Sequence, residues 1–408
     1  MAVVLIGTLD TKGPEYSWLR ERLAELGREV IVVDTGVGLA ASGLAASGLA
    51  ADFPAGQVAA LAGADLEALR AAGDRGAAVT AMGEGAAKVL ADLHRAGRVD
   101  GVLAVGGSGG SSIAARAVRD LPIGLPKLIV STMASGDVAP YIGAKDVTLM
   151  YSVVDIAGIN RVSRAILGNA AAAVAGMAGE YAARGPAQDG DRPLIGASMF
   201  GVTTPAVDAA RARLDELGYE VLVFHATGSG GRALEGLAES GMLAGVLDLT
   251  TTELADELVG GVLSAGPDRL TAAGRHGVPQ VVAPGALDMV NFGPRDTVPE
   301  RFAGRTLYVH NPTVTLMRTT ESEMAELGRE IAAKLAKATG PTVLFVPEGG
   351  VSALDAPGMP FHDPAADAAA FAGLAAYPHT VRLAAHINDP EFGRAMADRL
   401  HLLIKGDQ

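Results

Sequence analysis

The opening 36 residues constrain the fold more than any other stretch of the chain. Residues 2–6 (Ala-Val-Val-Leu-Ile) form an apolar run of strand length that stops at Gly7. Helical periodicity follows from about Pro14 to Leu26, with Pro at its start and Gly27 past its end, the asymmetry that helices favour. Residues 30–33 (Val-Ile-Val-Val) form a second apolar run, ending at Asp34. Strand, helix and strand at this spacing make a βαβ unit, which closes with a right-handed crossover and so requires a parallel sheet.

A second strand-to-helix passage is more specialised. Residues 102–105 (Val-Leu-Ala-Val) lead into Gly106, Gly107, Ser108, Gly109, Gly110, Ser111 and Ser112, and a helical pattern follows through Val118. A tight turn between strand and helix needs fewer glycines than four. Glycine lets the backbone come close to a ligand, and the free amides at a helix N-terminus attract anions. This loop is the expected phosphate site. Residues 127–130 form another buried strand, leading into Ser131, Thr132, Met133, Ala134, Ser135, Gly136 and Asp137, again small and polar.

Length and composition bound the rest. At 408 residues the chain is too long for one comfortable core, so two domains are expected. Hydrophobic residues reach 49% while aromatics stay at 4%, so Ala- and Gly-rich helices should pack closely on a Val/Leu sheet. A net charge of −13 with no basic tail argues against nucleic acid as a partner. Cysteine is absent, which removes disulfides, thiolate nucleophiles and Cys-type zinc sites. The N-terminus has no basic stretch before its short apolar run, and no run of membrane-spanning length occurs. A cytoplasmic protein with no membrane partner is the expectation.

Further along, residues 39–50 repeat Leu, Ala, Ser and Gly and read as a surface excursion. Helices are expected near 64–72, 75–95 and, Ala-rich and buried on more than one side, 160–184. Residues 184–193, dense in Gly, Pro and charge, read as a linker between domains 1–184 and 193–408. The second half echoes the first: 194–196 (Leu-Ile-Gly) repeats 5–7, and 213–224 repeats the pattern of 22–33. Residues 243–248 echo 99–104, and 279–285 echo 126–132. The expected architecture is α/β, two doubly wound and mostly parallel Rossmann-like domains, with an internal duplication as one origin. Ligands in such sheets sit beyond the carboxyl ends of the strands.

Neither a Walker A pattern nor a G-x-G-x-x-G after the first strand is present. What remains is a set of phosphate-friendly loops on one sheet. They comprise Gly7, Thr8, Asp10, Thr11 and Lys12, the 106–112 loop, and Thr132, Ser135, Gly136 and Asp137, with Asp34 at the end of the second strand. Lys12 is a candidate point charge on a phosphate, and Asp10 or Asp137 a candidate Mg²⁺ ligand. Alternatively, an Asp or Thr after a strand merely caps the next helix. Tyr16 and Trp18 lie on the first helix and read as packing residues.

These motifs, together with Glu15 and the run from Tyr151 to Arg161, carry a resemblance. The chain resembles a family of uncharacterised bacterial proteins similar to the N-terminal inhibitory region of the tomato mosaic virus resistance protein. The resemblance spans essentially the whole chain. It implies two Rossmann-like domains, ATP binding by the first, and a homodimer or higher oligomer; it implies no reaction.

In the second half, His225, Asp248, His310, Glu348 and His386 each follow an apolar run, with Asp288, Asn291, Asn311 and Arg318 nearby. On parallel strands they would share one rim and form an acid/base cluster or a metal site. The alternative is that they cap loops. His225, Asp248, His310 and Glu348 are the catalytic candidates. The functional expectation is an enzyme using ATP and Mg²⁺ on a small carboxylated substrate held between the domains. The alternatives are an ATP-regulated scaffold without chemistry and a metal-assisted hydrolase or lyase.

Overall fold

A computed structural model describes residues 2–38, 49–183 and 191–406. The chain divides into two compact units, Met1–Gln188 and Asp189–Gln408. Ten of the twelve residues of the 39–50 repeat, and 184–190 of the linker stretch, lie outside the described residues.

In the first unit the order is β1 (Ala2–Gly7), α1 (Leu9–Glu25), β2 (Glu29–Asp34), α2 (Ala55–Leu61), α3 (Leu66–Ala72) and α4 (Arg75–Arg95). It continues with β3 (Gly101–Gly106), α5 (Ser108–Val118), β4 (Lys127–Ser131), α6 (Ala139–Ile142), β5 (Val147–Tyr151) and α7 (Arg161–Ala183). The five strands make one parallel sheet, ordered β2-β1-β3-β4-β5. From β1 the chain steps outward to β2 and then back across to β3, so the strand order reverses between β1 and β3. The carboxyl ends of that pair form the crevice where doubly wound sheets take ligands.

Two features of α1 shape this crevice. Lys12 has non-helical angles (φ −129°, ψ 25°), so a single turn over Thr8–Thr11 precedes the helix proper. Pro14 then falls in the first turn of that helix, where its missing N–H is no loss. Tyr16, fully buried, reaches back between the strands: its hydroxyl is 2.5 Å from the Ile6 carbonyl and accepts from the Val105 N–H at 2.8 Å. A Cβ on Gly7 would collide with the Tyr16 ring. Burial pushes the phenol up, well away from ionisation at neutral pH. Tyr16 is thus a neutral wedge holding the ends of β1 and β3 apart.

The expected helix at 160–184 is α7, but its buried residues, from Ser163 to Ala178, recur every three or four positions. It therefore buries one stripe, against α1 and strands β1, β3 and β4, rather than most of its circumference. The helices do pack closely: in the α2–α4 contact a Cβ on Gly85 would collide with the Val58 carbonyl.

The second unit runs β6 (Leu194–Met199), α8 (Thr204–Glu216), β7 (Glu220–His225), α9 (Ser229–Glu239), β8 (Gly245–Thr250), α10 (Thr252–Val259), α11 (Ala272–Arg275) and β9 (Gln280–Gly285). Then follow β10 (Met289–Phe292), β11 (Leu307–Asn311), β12 (Val314–Arg318), α12 (Glu321–Leu335), β13 (Thr342–Pro347), α13 (Pro364–Leu374), β14 (Thr380–Leu383) and α14 (Pro390–Lys405). Six strands form a parallel sheet ordered β14-β13-β9-β8-β6-β7. Strands β7-β6-β8-β9 take the places of β2-β1-β3-β4, so the sequence echo between the halves recurs as topology. The second unit differs in a sixth parallel strand and in an inserted antiparallel sheet, β10-β12-β11. His310 and Asn311 belong to its edge strand and not to the parallel rim.

Candidate functional site

The crevice at the β1/β3 switch opens as a cleft of about 510 Å³. Its walls are the turn Thr8–Lys12, Thr35 and Val37 after β2, the first turns of α4 (Arg75, Ala78, Val79) and of α5 (Ser108, Gly109, Gly110), and Ile113. Short bonds hold the polar wall. Thr8 and Thr11 share a 2.7 Å hydroxyl contact, and the Lys12 amide returns to the Thr8 carbonyl at 2.9 Å. Asp34 accepts from the amides of Leu9 (3.1 Å) and Gly36 (2.8 Å), joining the loops after β1 and β2. Burial, ahead of its amide donors, raises the Asp34 carboxyl. Asp10 accepts from the Gly38 amide at 2.5 Å with Oδ2, leaving Oδ1 without a partner. The hydroxyl of Thr35, a residue only 1% exposed, also has none.

Helix α5 begins uncapped: Gly107 is its N-cap and no side chain bonds there. The amides of Ser108, Gly109 and Gly110 lack partners within the helix, as first-turn amides must. The glycines themselves separate into two kinds. A Cβ on Gly106 would lie 2.8 Å from the Gly110 backbone, so packing requires that glycine. Gly107, Gly109 and Gly110 have no positive φ. A Cβ on them would come no closer than 3.7 Å (Thr132), 3.3 Å (the tip of Arg75) and 3.7 Å (Val105). Among the described residues only the mobile tip of Arg75 would have to give way, so packing does not require those three positions bare.

The second unit holds a contrasting loop. Gly228, Ser229, Gly230 and Gly231 open α9, and there the glycines are needed. Gly228 has φ +82°, and a Cβ on Gly230 or Gly231 would collide with the His225 carbonyl or the Glu253 carboxylate. Glu253, fully buried, accepts from the amides of Gly228 (2.6 Å) and Gly231 (3.0 Å). A carboxylate of the protein itself thus occupies the anion position at this helix start, whereas no side chain caps α5.

Other expected site residues are used internally. Gly7 makes room for Tyr16. Ser111, fully buried, bonds the Ser131 hydroxyl at 2.6 Å, and Ser112 bonds back to the Ser108 carbonyl at 2.9 Å. Thr132 borders Gly107 outside the cleft wall, and Ser135 and Gly136 form an exposed turn. Asp137 is exposed and accepts from the Ala139 amide at 3.1 Å. Lys12 lines the cleft, and its ammonium donates to the Ile156 carbonyl at 2.7 Å. Sequence reasoning missed Arg75. The available signal was an Asp74 cap followed by a cation in the first turn, where the helix dipole disfavours it.

In the second unit the catalytic candidates are not brought together as a cluster. Asp248 sits in a buried network around Arg269, which donates to both Asp248 oxygens and, at 2.6 Å, to Glu253. Ser198 adds a bond to Asp248 at 2.6 Å. His225 is exposed at the end of edge strand β7, and His310 is exposed on β11. Glu348 pairs with Arg382 at 2.8 Å. His386 accepts from the Asn388 amide through Nδ1 (3.1 Å), so its Nε2 donates to the Ser352 carbonyl (2.9 Å). Asn291 pairs with Asp256 at 2.6 Å. Asp288, Asp355 and Asp367 are buried around Arg318, and burial raises them to about 6, about 6 and about 7. Among the described residues, no group of three or more His, Asp or Glu is placed to hold a metal. No described helix is long and apolar enough to cross a membrane.

Fold and cleft together define a two-domain, Rossmann-like α/β protein whose first domain keeps an open crevice at the switch of its sheet. The chain belongs to the uncharacterised protein family UPF0261: its N-terminal domain model matches residues 1–183, and its C-terminal domain model matches residues 192–404. A UPF0261 protein of Clostridium tetani is 50% identical over 403 residues, 98% of both chains. The ToMV resistance protein Tm-1(GCR237) of Solanum lycopersicum is 46% identical over 332 residues, 79% of this chain and 44% of that protein. Among solved structures, a UDP-GlcNAc 2-epimerase from Neisseria meningitidis bound to UDP-GlcNAc aligns with a TM-score of 0.21 at 10% identity. That alignment covers 69% of this chain and 82% of the epimerase. A score that low carries nothing over to this site.

Proposed function

We propose that the first domain binds ATP in the β1/β3 cleft. The observation that carries this reading is the trio Gly107, Gly109 and Gly110, bare positions that the fold leaves free and a phosphate chain would need. The unpartnered Thr35 hydroxyl and the uncapped amides of α5 supply polar contacts, and Val37, Val79 and Ile113 supply an apolar wall for a base. Mg²⁺ would accompany the triphosphate, which provides most of its ligands. Asp10, which lines the cleft and has Oδ1 without a partner, fits as the protein ligand; Asp137, outside the cleft wall, does not.

The separation of His225, Asp248, His310 and Glu348 favours a nucleotide-dependent binding protein over acid–base chemistry by that set. A cytoplasmic homodimer remains part of the proposal. Isothermal titration of the full chain with Mg·ATP tests the reading: saturable binding, one nucleotide per chain, is expected. Absence of heat up to about millimolar nucleotide, the weak limit of specific binding, removes it.

A further inference from the structure

We propose that Arg75, rather than Lys12, is the cation that recognises the phosphates; this rests on the nucleotide reading above. Lys12 is spoken for, since its ammonium donates to the Ile156 carbonyl and straps the segment after β5 to α1. The Arg75 guanidinium has no ion pair or hydrogen bond to any described residue, although the chain carries a net charge of −13. Its guanidinium stands beside the first turn of α5, with Nη2 3.3 Å from where a Gly109 Cβ would lie.

The position is electrostatically odd. Arg75 begins α4, so its charge sits at the positive end of that helix dipole, and it faces the positive end of α5 across the same cleft. The carboxylate of Asp74 answers the start of α4 through the Ala77 amide, which leaves the guanidinium and the uncapped start of α5 as the positive groups facing the cleft. The buried, unpartnered Thr35 hydroxyl on the same wall independently marks a place for a polar ligand. A phosphate resting on the amides of Ser108–Gly110 would lie within the fork of the guanidinium, whose paired donors match phosphate oxygens.

The test is titration of wild type, Arg75→Gln and Arg75→Lys with Mg·ATP and with inorganic tripolyphosphate, which has no base or sugar. Arg75→Gln should weaken both ligands by about tenfold or more, the usual loss for a charge-assisted bond, with Arg75→Lys intermediate. The melting temperature should hold or rise slightly, because the Arg75 side chain is exposed, bonds to no described residue and sits against the α4 dipole. A wild type that binds ATP while Arg75→Gln binds it equally well overturns the assignment and leaves the nucleotide reading intact. Loss for ATP alone, with tripolyphosphate unaffected or unbound, also overturns it and moves Arg75 to the base. A wild type that binds neither ligand removes the nucleotide reading and this inference with it.

Discussion

Gly110→Ala separates a glycine kept for packing from one kept for a ligand. The added Cβ would have its nearest neighbour at 3.7 Å, the Val105 carbonyl, which is ordinary contact. The position is helical with no positive φ, so replacing glycine should stabilise the first domain by about 0.4–1 kcal/mol through the unfolded chain. For a domain of this size that is a rise in melting temperature of roughly 1–4 °C. The same methyl on the cleft floor would displace a phosphate oxygen from its amide, a loss of about 1.5–3 kcal/mol, or about 10- to 150-fold in Kd. Calorimetric unfolding and Mg·ATP titration on one preparation read both quantities. Gly231→Ala is the matched control: its Cβ meets the Glu253 carboxylate, so the second domain should destabilise while ATP affinity holds. A Gly110→Ala protein that is more stable and binds ATP as tightly as wild type would show that Gly110 is not kept for a phosphate.

Other predictions concern the frame. Tyr16→Phe leaves the Val105 amide and Ile6 carbonyl buried without a partner and should destabilise the first domain by about 1–3 kcal/mol in denaturant titration. Arg269→Met strands Asp248 and Glu253 without their cation, and unfolding of the second domain should ease by about 3–5 kcal/mol. The carboxyls of Asp288, Asp355 and Asp367 are raised by burial, so the folded state favours their protonated forms. The stability they lend is complete below the ordinary carboxylate range near 4 and is lost as pH rises through about 6 to 7. The second domain should therefore melt lower at pH ~8 than at pH ~5, and Asp367→Asn should flatten that dependence.

Much of the frame is legible in the chain because its signals are local. Runs such as residues 2–6 and 30–33 declare buried strands, and the echo of 22–33 in 213–224 declares a second sheet of the same order. The antiparallel insertion is not legible: residues 307–311 and 314–318 are short apolar runs, and their pairing partners are set by distant contacts. That is why His310 looked like part of a common rim.

The site divides in the same way. A glycine after a strand can serve a ligand or a neighbouring side chain, and Gly7 and Gly231 serve Tyr16 and Glu253, which only the folded chain brings against them. Ser111 reads as a phosphate donor until Ser131 is found beside it. Arg75 reads as a solvated helix residue until α4 and α5 are seen to open on one cleft.

A crystal structure of the full chain grown with Mg²⁺ and a non-hydrolysable ATP analogue would decide whether the β1/β3 cleft is the nucleotide site. Phosphates are expected on the amides of Ser108, Gly109 and Gly110. The analogue bound elsewhere, with the β1/β3 cleft still empty, would contradict this expectation.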